Sequence, residues 1–229
     1  MRVVSPSWIR LRFARTSMAL LKVRYNEVDD TTMNSVGMPT PIKRVVEPFV
    51  KAAFANWLVQ HGARKVTVSI DGMEKCAEEF PKYLDYLGGG YEFIKSFKSK
   101  TNWAGIYTHR SGVVVRVRSM PGLDVQATLK SHETLVAECK GEPTDGGIKT
   151  GRDLTNLYCC LGQLMVFAGQ EETLPDRRFL VVPKSASEQF CETICRLGTN
   201  PLIVAAGIEI AEVDRSGQVA VQTQARREG

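Results

Sequence analysis

The chain has 229 residues, of which 43% are hydrophobic and 24% charged, an ordinary make-up for a soluble globular protein with one core, or one core and a small attached subdomain. Thirty Lys and Arg against 25 Asp and Glu give a net charge of +5, which is compatible with a polyanionic partner without requiring one. No apolar run approaches the roughly 18 residues of a membrane span, and the cysteines (Cys76, Cys139, Cys159, Cys160, Cys191 and Cys195) form no CxxC pair, so a membrane protein, a disulfide scaffold and a cysteine-rich metal cluster are all disfavoured.

Residues 1–41 read as a basic N-terminal extension and linker. Arg2, Arg10, Arg12, Arg15, Lys22 and Arg24 precede the first acid, Glu27. This acid-poor, arginine-bearing stretch over residues 1–26 has the make-up of an organelle transit peptide, and equally of a basic arm on DNA or of residues ahead of an alternative start at Met18. The expected location is cytoplasmic, or organellar if residues 1–26 are a transit peptide. Residues 29–41 are rich in Thr, Asn, Gly and Pro, as a linker is.

Residues 42–213 read as the main domain. A helix is expected up to about His61, with Val46, Phe49, Val50, Ala53, Trp57 and Leu58 on one stripe, Pro48 near its start and Gly62 at its end. Lys65–Ile70 reads as a strand. Residues 71–111 read as an insertion with a helix near Met73–Leu87. A stretch of bases interleaved with aromatics follows: Phe93, Lys95, Phe97, Lys98, Lys100, Trp103, Tyr107 and Arg110. Such a mixture grips phosphates and stacks on bases, or else packs its aromatics on the core with its lysines in solvent. Val113–Arg118 reads as a strand with Val113, Val115 and Val117 on one face and Arg116 and Arg118 on the other, where they either line a nucleic-acid channel or form a solvated strand face.

Met120-Pro121-Gly122 breaks that strand. Val125–Leu129 and Thr134–Lys140 then form a hairpin around the polar turn Lys130–Glu133. Residues 141–151 form a Gly-rich loop without a Walker pattern. The pattern continues with a helix carrying Leu154, Leu157, Tyr158, Leu161, Leu164, Met165 and Ala168, a strand at Phe179–Val182, a helix at 186–197 and a last strand at Ile208–Val213. Residues 214–229 read as a polar tail. The fold class expected is mixed α/β, with a central hairpin flanked by helices.

The hairpin carries the chemistry. Asp124 sits just after the Pro121-Gly122 break on its first arm, and Glu138 and Lys140 end its second. Two residues apart on a strand, Glu138 and Lys140 share a face, while Leu135, Ala137 and Cys139 take the other. Two carboxylates side by side repel unless a cation joins them, and oxygen ligands suit a hard ion, Mg²⁺ or Mn²⁺. Lys140 beside such an ion can acidify an attacking water or stabilise charge building on a phosphate.

At these residues, Pro121-Gly122-Leu123-Asp124 and Val136-Ala137-Glu138-Cys139-Lys140-Gly141, the chain resembles the PD-(D/E)XK nuclease superfamily, with its restriction-endonuclease-like fold. The resemblance implies a metal-dependent (endo)deoxyribonuclease in which Asp124 and Glu138 bind the metal and Lys140 positions or activates water. It also implies a first-helix carboxylate, Glu47, and a glutamine on the helix after the hairpin, Gln163. It departs from the family in the two residues between Pro121 and Asp124 and in the long insertion. The partners expected are DNA, no membrane, and a possible homodimer, with Lys95, Lys98, Lys100, Arg110, Arg116 and Arg118 as candidate DNA contacts. The competing expectations are a catalytically inactive nucleic-acid-binding module of the same fold, and an α/β enzyme that binds small phosphorylated ligands through the 141–151 loop.

Overall fold

A computed structural model describes residues 44–71, 74, 76–97, 101–142, 151–168, 174–184 and 188–222, with side chains for 155–166 of the helix 151–168. All belong to the unit Pro39–Gly229. The basic extension, Lys98, Lys100 and most of the 141–151 loop lie outside the described residues.

The domain is α/β, with a nine-stranded mixed sheet and helices on both faces. Helix α1 (Glu47–Gln60) leads into β1 (Ala63–Ser69), then α2 (Phe80–Tyr86), β2 (Tyr91–Ser96), β3 (Gly105–His109) and β4 (Val114–Arg118). The hairpin β5 (Val125–Leu129) and β6 (Thr134–Cys139) follows. After it come α3 (Gly151–Ala168), β7 (Arg177–Pro183), α4 (Glu188–Gly198), α5 (Pro201–Ala205), β8 (Ile208–Val213) and β9 (Val219–Gln222). The strand order is β2-β3-β4-β1-β5-β6-β7-β8-β9. Strand β1 runs parallel to β4 and antiparallel to β5, β5 and β6 pair antiparallel as a hairpin, and β6, β7 and β8 run parallel.

Alternate residues of the central strands sort into two cores. Leu135, Ala137, Cys139, Phe179 and Val181 join α1, while Val136, Leu180, Val182 and Ile210 join the α3 and α4 side. Strand β7 is therefore apolar on both faces, as parallel strands under two helical layers are.

Helix α1 begins where its proline allows. Val46 is the extended N-cap and Pro48 sits in the first turn, where a missing N–H removes no helical bond. The apolar stripe expected on this helix understates its burial, because Lys51, Ala52, Ala55 and Asn56 are buried as well. The insertion causes this. Its helix α2 packs on α1, Tyr91 donates to Asn56 Oδ1 (2.8 Å) and Asn56 donates to the Leu87 carbonyl (3.3 Å).

Two local expectations need correction. The helix placed at Met73–Leu87 is a short 3₁₀ turn, Ala77–Glu79, followed by α2, whose first turn holds Pro81. The inserted region itself joins the same sheet, which β2 and β3 extend through β4. The polar tail contains β9, paired antiparallel with β8. Asp214 makes that turn by accepting from the N–H groups of Ser216 and Gln218 (both 2.9 Å), and Gly217 adopts the positive φ of 85° it requires.

Candidate functional site

The chain exits β6 onto the start of α1. The Glu142 N–H donates to the Val45 carbonyl (2.7 Å), the Val45 N–H to Glu142 Oε2 (3.2 Å), and Arg44 to the Glu142 carbonyl (2.7 Å). Gly141 allows this approach, since a Cβ there would lie 2.5 Å from the Glu47 nitrogen. The stitching sets Lys140 beside Glu47, with Nζ 3.0 Å from Oε2.

Asp124 arrives from the other side of the hairpin. Its carbonyl accepts from the Ser69 N–H (2.8 Å), tying it to the end of β1, and its Oδ2 accepts from the Cys139 N–H (2.7 Å). Its carboxyl is therefore held at the end of β6, within hydrogen-bond reach of Glu138. Both acids are nearly closed to solvent, Asp124 at 8% exposure and Glu138 at 3%. Asp124 and Glu138 form one pair and Lys140 and Glu47 another, and the two pairs lie close, with oxygens of Glu47 and Asp124 within 4.8 Å of each other.

Two further residues complete the site. Lys51, one helical turn after Glu47, is 1% exposed. Its Nζ lies 2.8 Å from Asp124 Oδ1, 2.5 Å from Glu74 Oε1 and 3.3 Å from Glu47 Oε1, and it donates to the Ser69 carbonyl at 3.1 Å. Glu74, from the loop after β1, is fixed by the Asp71 N–H donating to its Oε1 (2.7 Å). Glu47, Glu74 and Asp124 each offer an oxygen within 4.8 Å of the others, an acidic cluster that could hold a metal ion.

The electrostatics are tense. Burial, then the neighbouring Asp124 charge, push the Glu138 carboxyl up to about 9, against the opposing pull of Lys140 and Lys51. Burial raises Asp124 and Glu74 too, with Lys51 pulling both back. Burial pulls the Lys51 ammonium down, but Asp124, Glu74 and Glu47 together hold it well above the ordinary lysine range. Lys140 is raised likewise, chiefly by Glu47 against its burial. Glu138 Oε1 and Glu74 Oε2 are buried without a hydrogen-bond partner among the described residues. Such orphaned acceptors are costly, and an incoming cation or donor would satisfy them.

The other candidates separate. Gln163 lies on α3 as expected but is exposed, and no hydrogen bond or ion pair among the described residues joins it to the carboxylates. Arg116 and Arg118 are half-buried on β4 and register with Thr67 and Ser69 of β1. Thr67 in turn registers with Gln126 of β5, and Gln126 with Val136 of β6. By the alternation of the pleat this row lies on the sheet face that carries Glu138. An open cleft of about 200 Å³ follows that face, lined by Lys65, Thr67, Gln126, Thr134 and Val136 among others.

Lys95 is exposed on the edge strand β2 at the sheet end shared with Arg118, since Lys95 registers with Ile106, and Ile106 with Arg116. Arg110 lies in the turn before β4, at the far end of that strand from Arg118. Of the aromatics, Trp103 and Tyr107 are core residues, whereas Phe93 and Phe97 are exposed. The interleaved stretch therefore serves packing and surface at once.

Lys51 and Glu74 escaped the sequence reading. Lys51 left one usable signal: it is the single charge in the run Phe49-Val50-Lys51-Ala52-Ala53-Phe54-Ala55, where an i,i+4 pair with Glu47 ordinarily suggests a surface. Glu74 left none, because its position depends on a loop. The chain matches no protein-family model, no curated protein and no solved structure. Among the described residues, no helix is long and apolar enough to cross a membrane.

Proposed function

We propose that the chain is a metal-dependent nuclease hydrolysing DNA phosphodiester bonds, with a PD-(D/E)XK-type site on a restriction-endonuclease-like core. The observation that carries this reading is the meeting of buried Asp124 and Glu138 at the end of the β5–β6 hairpin, with Lys140 two residues beyond on the same face. The succession α1, β1, β5–β6 hairpin, α3, β7 supports it, because that is the order of elements the resemblance calls for.

Asp124 and Glu138 would hold Mg²⁺ or Mn²⁺. The donor set is all oxygen, as hard cations require, and the unpartnered Glu138 Oε1 is the atom that fits one. A bound ion would supply Lewis-acid polarisation of the phosphate and a more acidic water. The protein's own groups do the positioning. The Cys139 N–H fixes one Asp124 oxygen. Glu47 holds the Lys140 ammonium at the rim, where it faces the charge that builds on a phosphate under attack. Arg116 and Arg118, with Lys95 at the edge, would take the flanking backbone. Gln163, exposed on α3, would reach the substrate rather than the carboxylates.

Lys51 favours a second reading. Its ammonium already sits among Glu47, Glu74 and Asp124 and offsets part of their charge, as it would in a module that binds nucleic acid without cutting it. Incubation with plasmid, branched and single-stranded DNA in Mg²⁺, Mn²⁺ or EDTA separates the two. Cutting that EDTA abolishes supports the nuclease; salt-sensitive binding with no cutting in either metal supports the module.

A further inference from the structure

We propose that Lys51 is a resident cation: its ammonium fills the pocket formed by Glu47, Glu74 and Asp124 as a divalent ion would, and so restricts metal entry to the Asp124–Glu138 side of the site. This rests on the metal-site reading above and specifies how many cations that site accepts.

The geometry around Nζ is that of an enclosed ion. Four oxygens surround it, from Glu74 at 2.5 Å, Asp124 at 2.8 Å, Ser69 at 3.1 Å and Glu47 at 3.3 Å. An ammonium has three protons to give, so four oxygens at these distances use all of its donor capacity. The ligands come from separate places: the first turn of α1, the end of β1, the loop after β1, and the segment before β5. A lysine is almost never this buried unless it is paired, and here a set of carboxylates encloses it. A second, independent feature points to a cation beside it. Glu138 is 3% exposed and abuts Asp124, yet its Oε1 has no partner among the described residues. Asp124 thus lies between a filled position and an unfilled one. Two-metal phosphodiesterases place two ions about 3.5–4 Å apart; here Lys51 sets a single fixed positive charge in the place of one of them.

The test counts Mn²⁺ bound per chain on the full-length protein, by titration calorimetry and by the electron paramagnetic resonance signal of free Mn²⁺. Lys51→Met is expected to bind one Mn²⁺ ion more than wild type. It is also expected to unfold at a lower temperature than wild type in EDTA and to gain more from added Mn²⁺. An ion count and a Mn²⁺ response equal to wild type overturn the proposal. If Lys51→Met does not fold, the comparison becomes Lys51→Met/Glu74→Gln against Glu74→Gln alone, in which one acid fewer is left without a counter-charge. A gain of one ion in the double variant supports the proposal, and equality overturns it. The wild-type count tests the metal-site reading separately: zero ions on wild type contradicts that reading, while a gain on substitution still supports the resident lysine.

Discussion

Lys140 Nζ donates to Glu47 Oε2 at 3.0 Å, joining the end of β6 to the first turn of α1. Both side chains are partly open, 29% and 24% exposed, so solvent screens the pair and its share of stability is small. Lys140→Met should therefore cost less than about 1 kcal/mol in urea unfolding. If its ammonium faces the transition-state phosphate, the same change should lower the cleavage rate by about 100-fold or more. Loss of stability and activity in step would make Lys140 a structural residue.

Gly141 sets the spacing of that contact. A Cβ at this position would sit 2.5 Å from the Glu47 nitrogen and 3.0 Å from the Val46 carbonyl carbon, both backbone atoms that cannot swing aside. Gly141→Ala is expected to destabilise by about 1–3 kcal/mol, the usual range for overpacking. It should also part Lys140 from Glu47 and lower cleavage. Wild-type unfolding and cleavage in Gly141→Ala would show that the approach is looser than the structure has it.

Glu138 makes stability depend on pH. Burial and the Asp124 charge push its carboxyl up to about 9 in the folded chain, against an ordinary value of about 4.3. Between roughly pH 5 and 9 the folded state keeps this proton and the unfolded state has lost it, so stability falls as pH rises, by up to about 1.4 kcal/mol per pH unit from this group. Asp124 and Glu74 are raised and act in the same direction. Lys51 and Lys140 are raised above the lysine range, stay charged in both states across this window, and add no slope. In EDTA the denaturation midpoint should be lower at pH 8.5 than at pH 6, and Glu138→Gln should flatten the dependence. A midpoint that does not move with pH in the wild type contradicts this.

Much of the site could be read in the sequence because strands make local promises. Glu138 and Lys140 two apart on an alternating segment must share a face, and the turn at Lys130–Glu133 returns the chain to Asp124. Glu47 was reachable once Pro48 was taken as a helix start. What escaped depends on tertiary enclosure. Lys51 reads as half of an i,i+4 surface pair until Glu74, Asp124 and the Ser69 carbonyl close around its ammonium, and only then does its charge become a buried one. Strand β9 hid because Val219-Ala220-Val221 is a short apolar run inside a polar segment, and the Asp214–Gly217 turn is what returns it to β8.

Arg116 and Arg118 offer a test of the substrate path. They share the face of Thr67, Gln126 and Glu138 through the registers of β4, β1, β5 and β6. Each Arg→Ala change should weaken DNA binding about equally for all sequences and reduce the salt slope by about 1. Arg110→Ala, at the far end of β4, should leave the slope unchanged. If Arg110 matters and the other two do not, DNA takes a different route across the protein.

The most direct measurement is paired cleavage and binding of the same DNA by wild type and Asp124→Asn in Mg²⁺. Asp124 touches Glu138, Lys51 and the Cys139 N–H at once, so no other side chain is as central to the proposed metal site. Wild type is expected to cut in Mg²⁺ and not in EDTA, and Asp124→Asn to bind DNA with near wild-type affinity and not cut. An Asp124→Asn protein that cuts as fast as wild type, or a wild type whose cutting survives EDTA, would contradict a metal-dependent nuclease built on this residue.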